Sequence, residues 1–420
     1  MNFLKKCKKK LNLPIVLFII IIINYIPIVI PNMISKQSHS ANKIAMMICF
    51  AIEIFMLFNI QCEKIELTKE IKKNFIILTT ITIILFIIQI KNFVIDKFYF
   101  FDIVNIGCIF ANIVLLYILM FNVKTKEEHI NRFFKAIVYM GIFACFVNLC
   151  LYIKEILATI GIINLKERVN IKSFFANRNQ FAFFLYISII STFFVLEKLN
   201  KKNCKFILVI FFINLVLTMS RTGILVVLIF AFLMFLCSNK VSKNSKIFIV
   251  LSFVVISAVV LIAIILFFPE VWNKLNSMFF RIEHVKNLSG RTDIWNVGIN
   301  LLIQNPINFL FGVGRFYSTS LLHFETKTFT QFHNIYLDIL LTSGLIGLVY
   351  FSFIYYNVIR KIIKSNLSKK LKRMYICMYI TYGIYILFES CGRFSVGASD
   401  TLCLIFFITI PLLHSNSIKN

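Results

Sequence analysis

Long apolar runs separated by short polar segments make up most of the chain. A helix needs about 20 predominantly apolar residues to cross the hydrocarbon core of a bilayer. Runs near that length lie at residues 13–30, 43–60, 74–90, 100–121, 136–153, 180–196, 205–219, 223–237, 247–268, 333–356, 374–390 and 400–413. The pattern therefore predicts an all-α, polytopic integral membrane protein with about 12 transmembrane helices.

The polar segments predict the orientation of these spans. A lysine cluster precedes the first run, which is too long for a signal peptide and is followed by no small-residue cleavage site, so we expect an uncleaved span with its amino end in the cytoplasm. More than half of the 45 lysines and arginines then fall in cytoplasmic segments, which satisfies the positive-inside rule. We expect a multi-pass protein of the plasma (inner) membrane with both termini in the cytoplasm.

One ambiguity affects this topology. The runs 205–219 and 223–237 are short and are separated by only three residues. If they formed a single broken span, the lysine-rich segment 360–373 would lie outside, against the charge rule. Two spans are therefore predicted here.

The topology divides the chain into four regions. Residues 1–170 form the amino-terminal transmembrane helices, and residues 171–268 form the central transmembrane helices with an arginine-containing outer turn. Residues 269–332 form one long extracytoplasmic loop with short amphipathic helices, and residues 333–420 form the carboxy-terminal transmembrane helices. Any chemistry is expected in the long loop, which is rich in polar residues.

Composition and charge narrow the functional classes. The 420 residues are 59% hydrophobic and 15% charged, which is incompatible with a soluble globular protein. The net charge of +27 does not indicate nucleic acid, because the lysines lie in short clusters between spans and form no continuous basic face. No Gly-x-x-x-x-Gly-Lys-Ser/Thr loop and no long cytoplasmic segment occurs, which excludes an ATP-driven pump and a nucleotide-sugar transferase of the soluble kind.

Arginines at outer turns are the first candidate chemical groups. Arg221 follows Ser220 at the start of a helix, where the free N–H groups favour an anion. The alternative for Arg221 is an anchor to lipid headgroups. Arg315 follows Gly312-Val313-Gly314 in a second flexible, basic turn, which alone is a weak signal.

Arg291 lies in Ser289-Gly290-Arg291-Thr292, ahead of a helix that Pro306 ends. The apolar face of this helix is predicted to contain Trp295, Ile299 and Leu302, and the helix is expected to lie at the outer membrane surface. Arg291 is placed to hold a phosphate against the amino end of the helix. The alternative is a pair with Asp293.

A histidine stands where the long loop becomes a span. His333 has a side chain suited to act as a base near neutral pH, although a histidine at such a place is also a common interfacial residue. His333-Asn334 is followed after nine residues by Gly344 and after two more by Gly347, and glycines on one helix let a neighbouring helix approach closely. Asp338 is not on the His333 face, so it is expected to pair with Asn334 or with another span.

The spacing His-Asn-x9-Gly-x-x-Gly resembles the signature of the O-antigen ligase and polymerase superfamily of membrane glycosyltransferases (Wzy/WaaL-type). The resemblance also includes Ser220-Arg221, Ser289-Gly290-Arg291-Thr292 before a Trp-containing helix, and Phe174-Phe175-Ala176-Asn177-Arg178-Asn179 before a span. It covers roughly residues 170 to 350. The first 150 residues match only as hydrophobic spans.

The resemblance implies transfer of a glycan from a polyprenyl diphosphate to a sugar hydroxyl on the outer face of the membrane, by an inverting reaction without metal or cofactor. His333 would activate or orient the acceptor hydroxyl, and Arg291 and Arg221 would neutralise the leaving diphosphate. The residues expected to bind substrate are Arg315, Arg178, Asn334 and Asn179.

Several functions remain open within and beyond this superfamily. We favour a polymerase of capsular, exopolysaccharide or O-antigen repeat units over a ligase that transfers polymer to a lipid or protein acceptor. The expected partners are the lipid-linked glycan donor, the glycan acceptor, the lipid bilayer, a chain-length regulator and a flippase, with no nucleic acid. An alternative of another class is a transporter or flippase for the same glycan, but the polar groups gather at one face and do not lie near the middle of the membrane.

Overall fold

A computed structural model of the chain describes residues 69–94, 100–121, 126–159, 171–175, 177–196, 201–238, 291–326, 331–393 and 398–415, with a few single residues between 47 and 52 and between 242 and 269. Every regular element in these ranges is helical. The helices are α1 (Lys69–Val94), α2 (Phe100–Phe121), α3 (Lys126–Thr159), α4 (Arg178–Val195), α5 (Lys201–Leu217), α6 (Arg221–Leu236), α7 (Arg291–Ile303), α8 (Pro306–Phe311), α9 (Arg315–Thr326), α10 (Ile335–Lys364), α11 (Lys369–Ile386), α12 (Ala398–Cys403) and, after a π-helical stretch Leu404–Thr409, α13 (Ile410–Ser415).

The described helices are those of an all-α membrane protein. Five of them, α1, α2, α3, α4 and α10, are long and apolar enough to cross a bilayer. Nine of the predicted runs coincide with described helices, and the runs 13–30, 43–60 and 247–268 fall almost entirely outside the described residues. The short pair 205–219 and 223–237 forms two separate helices, α5 and α6, joined by a turn at residues 218–220.

Helix α4 lies at the centre of the bundle. It packs against α3, α5, α6 and α11, and its side chains from Phe181 to Thr192 are all buried. A helix that is apolar on all sides faces either lipid or other parts of the protein, and the burial of α4 shows that other helices surround it. Tyr186 and Phe183 pack against the ring of Tyr385 on α11, which fixes the start of α4 close to the end of α11.

Helix α10 is broken at Gly344, and the loop after α8 fills the break. Gly344 has a φ of +67°, and a Cβ there would lie 2.2 Å from the carbonyl oxygen of Leu310. The backbone N–H groups of Val313 and Gly314 donate to the carbonyls of Leu341 and Thr342, at 2.7 and 3.1 Å. The two signature glycines were predicted to admit a neighbouring helix; at Gly344 the close neighbour is the end of α8.

The buried face of α7 differs from the prediction. The buried residues are Ile294, Gly298, Leu301 and Leu302, whereas Ile299, predicted on the apolar face, is 43% exposed. The buried face is therefore rotated by about one residue from the predicted face. Gly298 lies on the buried face against Phe332 and Leu341, but a glycine has no apolar side chain from which its burial could be predicted.

Candidate active site

A buried carboxylate stands at the centre of the polar residues that the bundle brings together. Glu389 follows the end of α11, and its side chain is 5% exposed. Its Oε1 accepts hydrogen bonds from Asn179 Nδ2 at 2.8 Å and from Arg291 Nη2 at 3.0 Å. Its Oε2 lies 3.2 Å from His333 Nδ1. The carboxylate therefore joins residues from three separate parts of the chain.

Asn179 comes from the first turn of the central helix. Asn177 caps α4 by accepting the N–H of Gln180 at 2.9 Å. The Oδ1 of Asn179 accepts the hydroxyl of Ser220 at 3.1 Å, and its carbonyl accepts the Tyr385 hydroxyl at 3.2 Å. These bonds direct the amide N–H of Asn179 toward Glu389.

His333 is held in an unusual backbone conformation just before α10. Its φ is +51°, a region that residues with a Cβ rarely adopt and that often marks a functional position. The carbonyl of the preceding Phe332 accepts the indole N–H of Trp295 at 2.8 Å. Trp295 lies one turn after Arg291 on α7, so the same helix carries Arg291 and anchors the backbone beside His333.

The arrangement suits a proton acceptor next to an anion site. The contact to Glu389 uses Nδ1 of His333, which leaves Nε2 as the nitrogen able to take a proton. The side chains of His333 and Arg291 keep 25% and 19% of their surface exposed, so neither is fully buried by the described residues. Arg291 pairs with Glu389 and not with Asp293, the alternative that the sequence suggested.

The seven predicted site residues divide into three groups. His333, Arg291 and Asn179 meet at Glu389, with Ser220 one hydrogen bond further away. Arg221 and Arg178 are the first residues of α6 and α4, next to Ser220 and Asn179 in the chain.

Two predicted substrate-binding residues have other contacts. The side-chain oxygen of Asn334 accepts the N–H of Leu337 at 3.1 Å and caps α10. Arg315 donates its backbone N–H to Asp102 at 3.2 Å and directs Nη1 toward Asn105 at 3.5 Å. Burial, and to a lesser extent the nearby charge of Arg393, lower the pKa of the Arg315 guanidinium to about 10, against the opposing effect of Asp400 and Asp102. Arg315 thus remains charged at neutral pH, within a second cluster of charged residues.

Sequence reasoning missed Glu389. The sequence signal for this residue was an acidic side chain at the end of an apolar run, in Phe388-Glu389-Ser390. A carboxylate in such a position is costly unless it has a partner, and it usually marks a functional site. The partners lie 56 to 210 residues away in the chain, so only the fold shows them.

A protein-family model matches part of the chain. Residues 206–352 match the protein-family model described as O-antigen ligase. The match covers about a third of the chain and includes Arg221, Arg291 and His333. A search of curated proteins finds no match. Asn179 and Glu389 lie outside the matched residues, so their place at the site comes from the structure.

Proposed function

We propose that this membrane protein is a glycosyltransferase that uses a polyprenyl-diphosphate-linked glycan, because residues 206–352 match the O-antigen ligase family model and so support membership of the O-antigen ligase and polymerase superfamily. The observation that carries the proposal is the contact of His333 and Arg291 with one buried carboxylate, Glu389. A base and a cation that contact the same carboxylate suit a reaction that removes a proton from one substrate and releases an anion from the other.

In the proposed reaction His333 acts on the acceptor. Nε2 of His333 takes the proton of an acceptor sugar hydroxyl as the hydroxyl oxygen attacks the anomeric carbon of the donor. Glu389 accepts the hydrogen bond from Nδ1–H, which fixes the tautomer and stabilises the imidazolium that forms. The new C–O bond forms as the bond to the diphosphate breaks, and a single displacement inverts the anomeric configuration.

Arginine neutralises the leaving diphosphate. The guanidinium group has five N–H donors in a planar fork, and the contact with Glu389 uses one of them at Nη2 of Arg291. The others can bind phosphate oxygens as negative charge develops on the leaving group. Arg221, at the start of α6 beside Ser220, is the second candidate for this role. In this proposal the arginines, and no metal ion, provide the positive charge.

The favoured activity is polymerisation of repeat units on the outer face of the plasma membrane, with both termini of the protein in the cytoplasm. A flippase would deliver the units, and a chain-length regulator would act on the product. The second candidate is ligation of finished polymer to another acceptor, the activity after which the matching family model is described. Both activities use the same donor bond and the same residues.

The test is the size-resolved profile of glycans on the lipid carrier, in cells with and without the protein. A polymerase predicts that its loss removes the ladder and leaves single repeat units on the carrier. Long polymer that accumulates on the carrier would identify a ligase. An unchanged profile would contradict both.

Single-residue variants test whether the glycan profile depends on the proposed site. His333→Ala is expected to reproduce the profile of cells without the protein. The matched control is His323→Ala, because His323 is an exposed histidine on α9 and makes no contact with Glu389. Normal assembly with His333→Ala, at equal amounts of protein in the membrane, would contradict the proposed role of the site.

A further inference from the structure

The segment that carries Glu389 is not helical, so its neighbours determine where the carboxylate lies. Helix α11 ends at Ile386. The Tyr382 hydroxyl donates to the carbonyl of Cys391 at 3.0 Å. The backbone N–H groups of Gly392 and Arg393 both donate to Asp400 Oδ1, at 2.8 and 3.0 Å. Residues 389–393 are therefore held by α11 on one side and by α12 on the other.

The shape of the segment adds a second constraint. Gly392 has a φ of +96°, which favours glycine, and a Cβ there would lie 2.0 Å from the Tyr382 hydroxyl oxygen. The backbone thus passes close to α11 at the residue before Arg393. This close approach leaves the segment little freedom to shift.

The side chain of Arg393 links this segment to the helix that follows His333. Its Nη2 lies 3.5 Å from Asp400 Oδ2, and its Nη1 lies 3.9 Å from Asp338 Oδ2. Asp338 is on α10, five residues after His333. Burial opposes the charge of Arg393, but the carboxylates of Asp400 and Asp338 outweigh this effect and raise its pKa.

We propose that the ion pairs Asp338–Arg393–Asp400 form a bridge that positions Glu389 against His333. The bridge joins the two segments that carry these residues, because Asp338 belongs to the helix that starts beside His333 and Arg393 belongs to the segment of Glu389. None of the three bridge residues contacts Glu389, His333 or Arg291 through a side-chain hydrogen bond or ion pair in the described structure, so they are positioning residues. The inference rests on the proposed function, in which Glu389 fixes the tautomer of His333 and stabilises the imidazolium.

Burial makes the bridge effective. The side chains of Asp338, Asp400 and Arg393 keep only 5%, 3% and 11% of their surface exposed. Ion pairs removed from water are screened little by solvent and salt, so they constrain geometry more than surface pairs do. A displacement of about 1 Å at reacting groups can lower a rate by about 100-fold. The bridge is therefore expected to affect the maximal rate more than substrate affinity.

The decisive variant is Asp338→Asn, which keeps the size of the side chain and the pair between Arg393 and Asp400. The assay follows release of glycan from its own lipid carrier in isolated membranes that contain the full-length protein. We expect the maximal rate to fall roughly 10- to 100-fold, with a change of less than about threefold in the half-saturating concentration of lipid-linked glycan.

The double variant Asp338→Asn/Glu389→Gln separates positioning from a general structural effect. If the bridge acts through Glu389, Asp338→Asn should lower the rate less than about twofold once Glu389→Gln has removed the carboxylate. The matched control is Asp102→Asn, which alters a buried carboxylate that contacts Arg315 and Phe316 on α9. Its effect is expected to be the same with and without Glu389→Gln.

Two results would contradict the proposed role of the bridge. One is a wild-type maximal rate for Asp338→Asn, and the other is the same fold-loss of rate from Asp338→Asn with and without Glu389→Gln. If Asp338→Asn does not accumulate in the membrane, Arg393→Lys replaces it in the same double variant with the same expectation, because lysine keeps the charge but loses the planar fork. A full rate for Glu389→Gln alone would instead refute the proposed site, so the two failures are distinguishable.

Discussion

The break in α10 allows a quantitative prediction for Gly344→Ala. The backbone of Gly344 lies at φ +67° and ψ −170°. This region is open essentially to glycine alone, and other residues are destabilised there by about 1–3 kcal/mol. The added Cβ would also lie 2.2 Å from Leu310 O and 2.4 Å from Phe311 N. Both are backbone atoms of α8, which cannot move aside as a side-chain tip can, and such overpacking costs about 1–3 kcal/mol more.

The two effects together predict a loss of about 2–6 kcal/mol in the free energy of unfolding. The assay is the apparent melting temperature of the detergent-solubilised protein, where a loss of this size lowers the midpoint by several degrees. The matched control is Gly383→Ala on α11, because a Cβ there meets no atom within 4 Å. That control should be neutral, or stabilising by up to about 1 kcal/mol through helix propensity. Equal midpoints for the two variants would refute the interpretation of the break.

Two further substitutions test single roles at the site. Asn334→Asp keeps a good helix cap but removes the amide donor, so we expect wild-type melting and turnover, and a fall in turnover would instead indicate substrate binding by Asn334. Arg291→Lys keeps the charge but replaces a planar fork with one ammonium that has to serve both Glu389 and the diphosphate. Turnover should fall roughly tenfold or more with normal protein amounts in the membrane, and an unchanged rate would exclude a bidentate role for Arg291.

The described helices and the class of protein could be predicted from the sequence. Apolar runs such as 100–121 match the described helices closely because a helix that faces lipid or other helices has to be apolar along its length. For the apolar runs 205–219 and 223–237, the charge of a later loop favoured two elements over one, and the structure has two helices there, α5 and α6. The spacing from His333 to Gly347 identified the superfamily, and the family match over residues 206–352 confirms it.

Which polar groups meet depends on the tertiary fold. The sequence marks Glu389 only as an acidic residue at the end of an apolar run, and its partners Asn179, Arg291 and His333 come from the starts of three helices that are distant in the chain. The position of Arg315 apart from Arg291 is equally non-local, since it depends on the contact of α9 with Asp102. Local chain chemistry specifies helices and caps, whereas the contacts of a buried charge depend on long-range packing.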